Sequence, residues 1–297
     1  MKVAVIGALG QLGIDVSNEF ERSGDHVVKL SHSDVEVCSL DLVLEVLGST
    51  RPQIIVNTAA MHNVEGCEKD PLKAYAVNAL GPRHLAVVAA QIGAALIHVS
   101  TDYVFDGMKM RPYLETDPTI PLNVYGNTKL AGEVFIQATA DKYFILRTSA
   151  LYGKNPCRAK GGLNFVELML KLASERNELR VVDDEVVSPT STVDLAKQIV
   201  VLSRTENFGI YHATAEGSCS WFEFASKIFE IVDMKTNLVV AGSNEFPAKV
   251  PRPKYSVLEN HGLKKLGLNS FRSWEDGLRS YLVSTHLTDQ TRLSTAS

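Results

Sequence analysis

The chain has 297 residues, 45% hydrophobic and 22% charged, a composition that buries a substantial core and excludes a disordered polymer or a membrane-embedded protein. A net charge of -4, with Lys and Arg scattered along the chain, leaves no basic footprint for nucleic acid, so small-molecule chemistry is expected. The four cysteines, Cys38, Cys67, Cys157 and Cys219, are far apart and lack histidines at metal spacing, and they read as free thiols in a reducing compartment with no metal site.

Met1-Lys2 leads straight into a strand, with no leader pattern and no apolar run of membrane-spanning length, which points to a cytoplasmic protein with no membrane partner. The first strand, Lys2-Val3-Ala4-Val5-Ile6, is a β-branched run of the kind buried on both faces, and it ends in Gly7-x-x-Gly10-x-x-Gly13. A helix follows over about 11–23. Strand, glycine turn and helix N-terminus in that order make a phosphate cradle: glycines admit the backbone to a pyrophosphate, and free N–H groups and the helix dipole favour its charge. The second strand, about 26–30, ends in Ser31-His32-Ser33 with no carboxylate placed for an adenosine ribose 2′-hydroxyl. That leans towards NADP(H) and leaves NAD(H) open, since Asp34 is close by and no arginine is evident to grip a phosphate.

A helix over about 41–47 and a strand over 53–57 lead into Thr58-Ala59-Ala60, small residues over which a cofactor can lie. A long helix is expected over about 72–92. The next strand, 95–99, delivers Ser100-Thr101-Asp102 at its carboxyl end, the edge of a parallel sheet where ligands bind. Beyond a proline-bearing loop, Tyr125 and Lys129 stand four residues apart in a helical stretch, on one face. A positive charge beside a phenol favours its ionised form, so the two make a candidate proton-transfer pair. A strand over 143–147 closes an unbroken alternation, which argues for a Rossmann-type, doubly wound parallel α/β sheet. From Leu151 the pattern breaks into shorter helices, about 164–173, 193–203 and 220–231, and isolated strands. The expected organisation is a dinucleotide-binding domain over 1–152 with a return segment over 188–213, a smaller interleaved substrate region over 153–187 and 214–284, and a disordered tail over 285–297. Trp221 and Trp274 read as core residues.

With the glycine motif, Asn57-Thr58-Ala59-Ala60, Asn78-Ala79-Leu80-Gly81, Ser100-Thr101-Asp102-Tyr103-Val104-Phe105-Asp106-Gly107 and Tyr125-Gly126-Asn127-Thr128-Lys129 in register, the chain resembles the extended short-chain dehydrogenase/reductases. Within them it looks most like the dTDP-4-dehydrorhamnose reductases, through Arg147-Thr148-Ser149, Val181-Val182-Asp183-Asp184, Ser188-Pro189-Thr190, Arg252-Pro253 and Trp274-Glu275-Asp276-Gly277-Leu278. The resemblance implies NADPH-dependent reduction of a nucleotide-linked 4-keto-6-deoxy sugar, dTDP-4-dehydrorhamnose to dTDP-L-rhamnose.

In that reading Tyr125 gives a proton to the keto oxygen, Lys129 tunes Tyr125 and holds the nicotinamide ribose, and Thr101 hydrogen-bonds the same oxygen. Gly7, Gly10, Gln11, Leu12, Gly13, Ser31, Ala59, Ala60 and His62 join Tyr125 and Lys129 at the cofactor, and Val64, Thr101, Asp102, Tyr103 and Ala150 meet the sugar nucleotide. Asp102 could equally serve only to satisfy donors at the strand end. Some relatives dimerise through a metal held by carboxylates; Asp15 stands near such a position but reads as a solvated helix-face acid, and a homodimer is allowed without being required. The chain departs from the pattern at Ala150, where a sugar-stacking Trp is usual, at His62, which replaces a small hydroxyl residue, and at Asp184-Glu185-Val186-Val187 in place of Asp-Gln-x-Gly. Two other readings stand beside the reductase: an epimerase or dehydratase of nucleotide sugars that recycles a tightly held NAD, and a non-catalytic regulatory subunit like the beta subunit of methionine adenosyltransferase.

Overall fold

A computed structural model describes residues 1–157, 162–245 and 250–294, the last nine of these as backbone only. The expected alternation appears as β1 (Lys2–Ile6), α1 (Gln11–Arg22), β2 (His26–Leu30), α2 (Leu40–Thr50) and β3 (Ile54–Asn57). After β3 come two short helices, α3 (Val64–Lys69) and α4 (Pro71–Tyr75), then α5 (Gly81–Ile92), β4 (Ala95–Thr101), α6 (Val124–Thr139) and β5 (Tyr143–Thr148). With β10 (Gly209–His212) the strands form a six-stranded sheet in the order β10-β5-β4-β3-β1-β2, every pair parallel. Both faces are covered, as continuous apolar strands require. Val3 and Val5 of β1 enter a core shared with Val16 and Phe20 of α1 and with Leu195 and Ile199 farther along. Ala4 and Ile6 point the other way, into a core with Val43, Leu47, Leu85 and Val88 of α2 and α5. Each fully buried Val, Leu or Ile contributes about 1.5–3 kcal/mol, so these two layers dominate the fold's stability.

The second part of the chain supplies β6 (Leu151–Tyr152), α7 (Phe165–Glu175), β7 (Glu178–Val182), β8 (Val186–Val187), β9 (Thr190–Ser191) and α8 (Thr192–Ser203), ahead of β10. It continues with β11 (Cys219–Ser220), α9 (Trp221–Ile231), β12 (Asn237–Ala241), α10 (His261–Lys265) and α11 (Trp274–Ser294). Leu195 and Ile199 place α8 against α1, while β7 and β12 pair in parallel away from the main sheet. A third core, built largely of aromatic rings, holds this part together: Phe224 lies within 5.8 Å of Tyr152, Phe165 and Trp274, ring centre to ring centre. Among the described residues no helix is long and apolar enough to cross a membrane.

Three local differences from the sequence reading have plain causes. The helix expected over 72–92 is broken by a π turn, Ala76–Leu80, immediately before Pro82, which has no N–H to return to a carbonyl one turn back. The short α3, in a stretch to which no element was assigned, is nucleated by Asn63, whose side chain accepts from Gly66 N at 2.7 Å. The segment expected as a disordered tail is helical to Ser294, because α11 carries on past Tyr281 with Thr285 bonding back to its carbonyls; residues 295–297 lie outside the described residues.

Candidate active site

At the carboxyl ends of the central strands a cavity of about 1010 Å³ opens between the sheet and the second part of the chain. Pockets for drug-sized ligands run to about 1,000 Å³, so there is space for a large ligand or for two in contact. All the candidate residues named from the sequence line it: Gly7, Gly10, Gln11, Leu12 and Gly13 from the glycine turn, Ser31 from the end of β2, and Ala59, Ala60, His62 and Val64 beyond β3. Thr101, Asp102 and Tyr103 beyond β4, Tyr125 and Lys129 on α6, and Ala150 after β5 complete the set.

The turn after β1 is packed too tightly for side chains. A Cβ on Gly13 would sit 2.2 Å from the Gly7 carbonyl oxygen, and Gly7 itself has φ of +78°. Gly10 caps α1 without a side chain and the first turn carries no acid, which leaves a helix N-terminus suited to an anion. Gln11 does more than border the turn: its amide donates to Asn155 O at 3.0 Å and to Gly153 O at 3.3 Å, tying the turn to the loop that follows β6. Asp15 joins the same tie. It accepts from Asn155 Nδ2 at 3.0 Å and Thr192 Oγ1 at 2.5 Å, and burial raises its pKa against those bonds, so the reading of a solvated surface acid is corrected. The cause is long-range packing of α8 on α1, which the local sequence does not display.

At the β2 end, Ser31 gives its N–H and hydroxyl to Asp34, at 2.7 and 2.5 Å, and these bonds hold the Asp34 carboxyl below its usual pKa. Lys73 of α4 lines this end of the cavity together with His32. An exposed lysine on a five-residue helix gives no local signal of such a placement.

The reacting side is built on β4 and α6. Asn123 caps α6 by accepting from Gly126 N at 2.9 Å. Gly126 is required because a Cβ there would lie 2.2 Å from Tyr103 O, so the helix start can approach the loop after β4 only without a side chain. That approach sets Tyr125 edge-on to Tyr103, ring centres 5.6 Å apart. Burial pushes the Tyr125 phenol well above its ordinary pKa, while hydrogen bonding to Thr101 opposes the shift. Lys129, 1% exposed, turns away from this pair: it donates to Val99 O at 2.7 Å and lies 3.1 Å from His98 Nε2. Burial brings its ammonium down to about 8.

Asp102 is 4% exposed, and its two oxygens accept from Thr101 at 3.1 Å, Ser149 at 2.8 Å and Ser256 at 2.5 Å. It therefore ties together the ends of β4 and β5 and the distant 256 segment. Beneath the same floor, Arg147 forks onto Glu133 at 2.7 and 3.1 Å, and Ser100 donates to Glu133 at 2.5 Å. The Arg147-Thr148-Ser149 run thus has a structural reason: Arg147 fills a buried ion pair and Ser149 holds Asp102.

Opposite Ala150 the wall carries residues not singled out for the site. Trp221, at the first position of α9, packs on the third core with its ring centre 4.6 Å from that of Phe165, as the core reading expected, and it also lines the cavity. Trp274 is a buried core residue, 6% exposed. Arg252 pairs with Glu65 at 2.7 Å, and both line the cavity with Glu185, whose carboxyl burial raises. His62 Nε2 faces the Cys157 sulfur at 3.6 Å on the same wall.

The family description that matches the chain is the RmlD substrate binding domain, over residues 1–286. The spore coat polysaccharide biosynthesis protein SpsK of Bacillus subtilis is 41% identical, with 95% of this chain and 96% of that protein covered. The dTDP-4-dehydrorhamnose reductase of Streptomyces griseus is 37% identical over 92% of this chain and 90% of its own. Among solved structures, dTDP-4-dehydrorhamnose reductase from Bacillus anthracis in complex with NADP superposes with a TM-score of 0.91 at 40% identity, covering 95% of this chain and 99% of that one.

Proposed function

The chain belongs to the RmlD substrate binding domain family, and on that premise we propose that it is an NADPH-dependent reductase of a dTDP-linked 4-keto-6-deoxy sugar, converting dTDP-4-dehydrorhamnose to dTDP-L-rhamnose. The observation that carries the reading is the convergence of Thr101, Tyr125 and Lys129 on one cavity with the glycine cradle that follows β1. The residues present fit a dinucleotide: a Cβ at Gly13 would fill the cradle, α1 offers it an uncapped N-terminus, and Lys73 and Ser31 border its far end. NADPH, when bound, supplies the hydride.

The chain's own residues supply the rest. Thr101 and Tyr125 hydrogen-bond the sugar's keto oxygen, and the Tyr125 hydroxyl gives that oxygen its proton as negative charge develops on it. A phenol held above its usual pKa stays protonated until it is needed, and a charged Lys129 nearby then eases loss of that proton. Trp221 and Tyr103 close the cavity on its sugar side, where Ala150 leaves room, and Arg252 offers charge to the nucleotide diphosphate. Lys73 offers a cation to the 2′-phosphate of NADPH.

Turnover is the test. Purified protein mixed with NADPH and dTDP-4-dehydrorhamnose should consume the reduced cofactor and yield dTDP-L-rhamnose. Absence of consumption with this and related keto sugars would sink the assignment.

A further inference from the structure

Directly beneath Lys129, four groups form a hydrogen-bond chain whose polarity can be read from one end. Ala59 N–H donates to Asn57 Oδ1 at 3.1 Å, which turns the Asn57 amide nitrogen towards His98 Nδ1 at 3.0 Å. An amide nitrogen only donates, so Nδ1 carries a lone pair, and the proton of this neutral imidazole is on Nε2. His98 is wholly buried, and burial holds its pKa well below the ordinary value, so a second ring proton is not available. Nε2–H therefore points at Lys129 Nζ, 3.1 Å away. An ammonium has no lone pair to accept it, whereas an amine does, and the amine still has hydrogens with which to reach Val99 O at 2.7 Å.

We infer that His98 is a positioning residue that favours the uncharged amine of Lys129 over its ammonium in the cofactor-free protein, and that dinucleotide binding shifts the balance to the ammonium. The other ionisable groups around Lys129 are Tyr125 and Glu133 on its own helix, Arg147 of β5, which neutralises Glu133, and Asp102, which is held by three hydroxyls. None of them presents Lys129 with an unpaired negative charge. Charging Lys129 reverses the chain. The Nε2 proton passes to Nζ, one solvent proton joins Nδ1, and the Asn57 amide turns to accept it, for a net gain of one proton. Ala59 N–H then loses its acceptor, and since Ala59 lines the cavity a ligand oxygen can replace it. Cofactor binding and the charge that activates Tyr125 are in this way one event. The inference rests on the proposed reductase function only for its second half.

The test begins with the cofactor-free protein. Long-range proton–nitrogen spectra of histidine-labelled full-length chain at about pH 9, where Lys129 is mostly amine, with His98 assigned by its loss in His98→Gln, should show a bare Nδ1 and a protonated Nε2; the opposite tautomer there overturns the inference whether or not the reductase assignment holds. Calorimetry of NADPH binding in buffers of differing ionisation enthalpy should show an uptake approaching one proton per site at about pH 9 and correspondingly less near neutral pH. It needs no variant, and binding with no uptake at the higher pH overturns the coupling, while failure of NADPH to bind counts against the reductase reading and equally against the coupling. His98→Gln, which can offer Lys129 an oxygen, should keep turnover but move the alkaline limb of its pH profile up by about one unit. An unmoved limb in a folded variant leaves His98 a packing residue and refutes the role.

Discussion

Two buried basic side chains lie under the same active-site floor, and they are compensated in opposite ways. Arg147, below the end of β5, is forked onto Glu133, itself 0% exposed and further satisfied by Ser100, and its guanidinium lies 5.3 Å from the Phe105 ring. Lys129, below the end of β4, has an imidazole and one carbonyl. A cation with a dedicated carboxylate is fixed in charge and serves as structure. A cation without one can gain or lose its proton at little cost, which is what proton-transfer chemistry requires.

The comparison is broken most directly by removing each cation. Lys129→Met should lower turnover by about 10²–10⁴-fold with a loss of stability of only about 1–3 kcal/mol, because the methionine fills the space and strands no charge, leaving only the His98 and Val99 hydrogen bonds unmade. Arg147→Met should do the reverse. It strands Glu133, and unfolding experiments should show a loss of about 3–5 kcal/mol, largely recovered when Glu133→Leu is added. If the arginine change costs under about 1 kcal/mol, the distinction between the two floors fails.

Acid sharpens the same contrast, since each floor has its own buried neutral histidine. His98 lies against Lys129, and His212 is brought down to about 3 by burial and by Arg147. Both folded-state pKa values are below that of the unfolded chain. Their contribution is therefore complete above about pH 6.5 and is lost as pH falls below it, at up to about 1.4 kcal/mol per histidine per pH unit. Thermal melts between neutral pH and about pH 5.5 should show the decline, and His212→Asn should flatten it in part. The smallest effect concerns Ala150, which follows β5 with φ of +45°. Ala150→Gly should relieve that conformation and raise stability by up to about 1 kcal/mol, with the melting temperature as the readout.

The sequence displayed the parts of this arrangement that are periodic or local. The β-branched runs of β1, β3, β4 and β5, the glycines after β1 and the four-residue step from Tyr125 to Lys129 each depend on neighbours within a turn or a strand, so their patterns survive in one dimension. Hydrogen bonds between residues far apart did not show. Asp15 meets Asn155 and Thr192 across 140 and 177 positions, and His98 meets Lys129 across 31, with nothing in the flanking residues to announce either. Trp221 packs on the core as its neighbours suggested, and its second place, on the cavity wall, did not show because it depends on where α9 lies. The π turn before Pro82 was legible in principle, since an interior proline was visible in a helix otherwise expected to be regular.

The central claim is that hydride and proton are delivered across one carbonyl of a bound sugar. It is tested most directly with NADPH deuterated at both C4 positions of its nicotinamide ring, supplied with dTDP-4-dehydrorhamnose. The account predicts dTDP-L-rhamnose carrying one deuterium at sugar C4, formed in step with oxidation of the cofactor. A product without deuterium, or turnover with no net oxidation of NADPH, would contradict it.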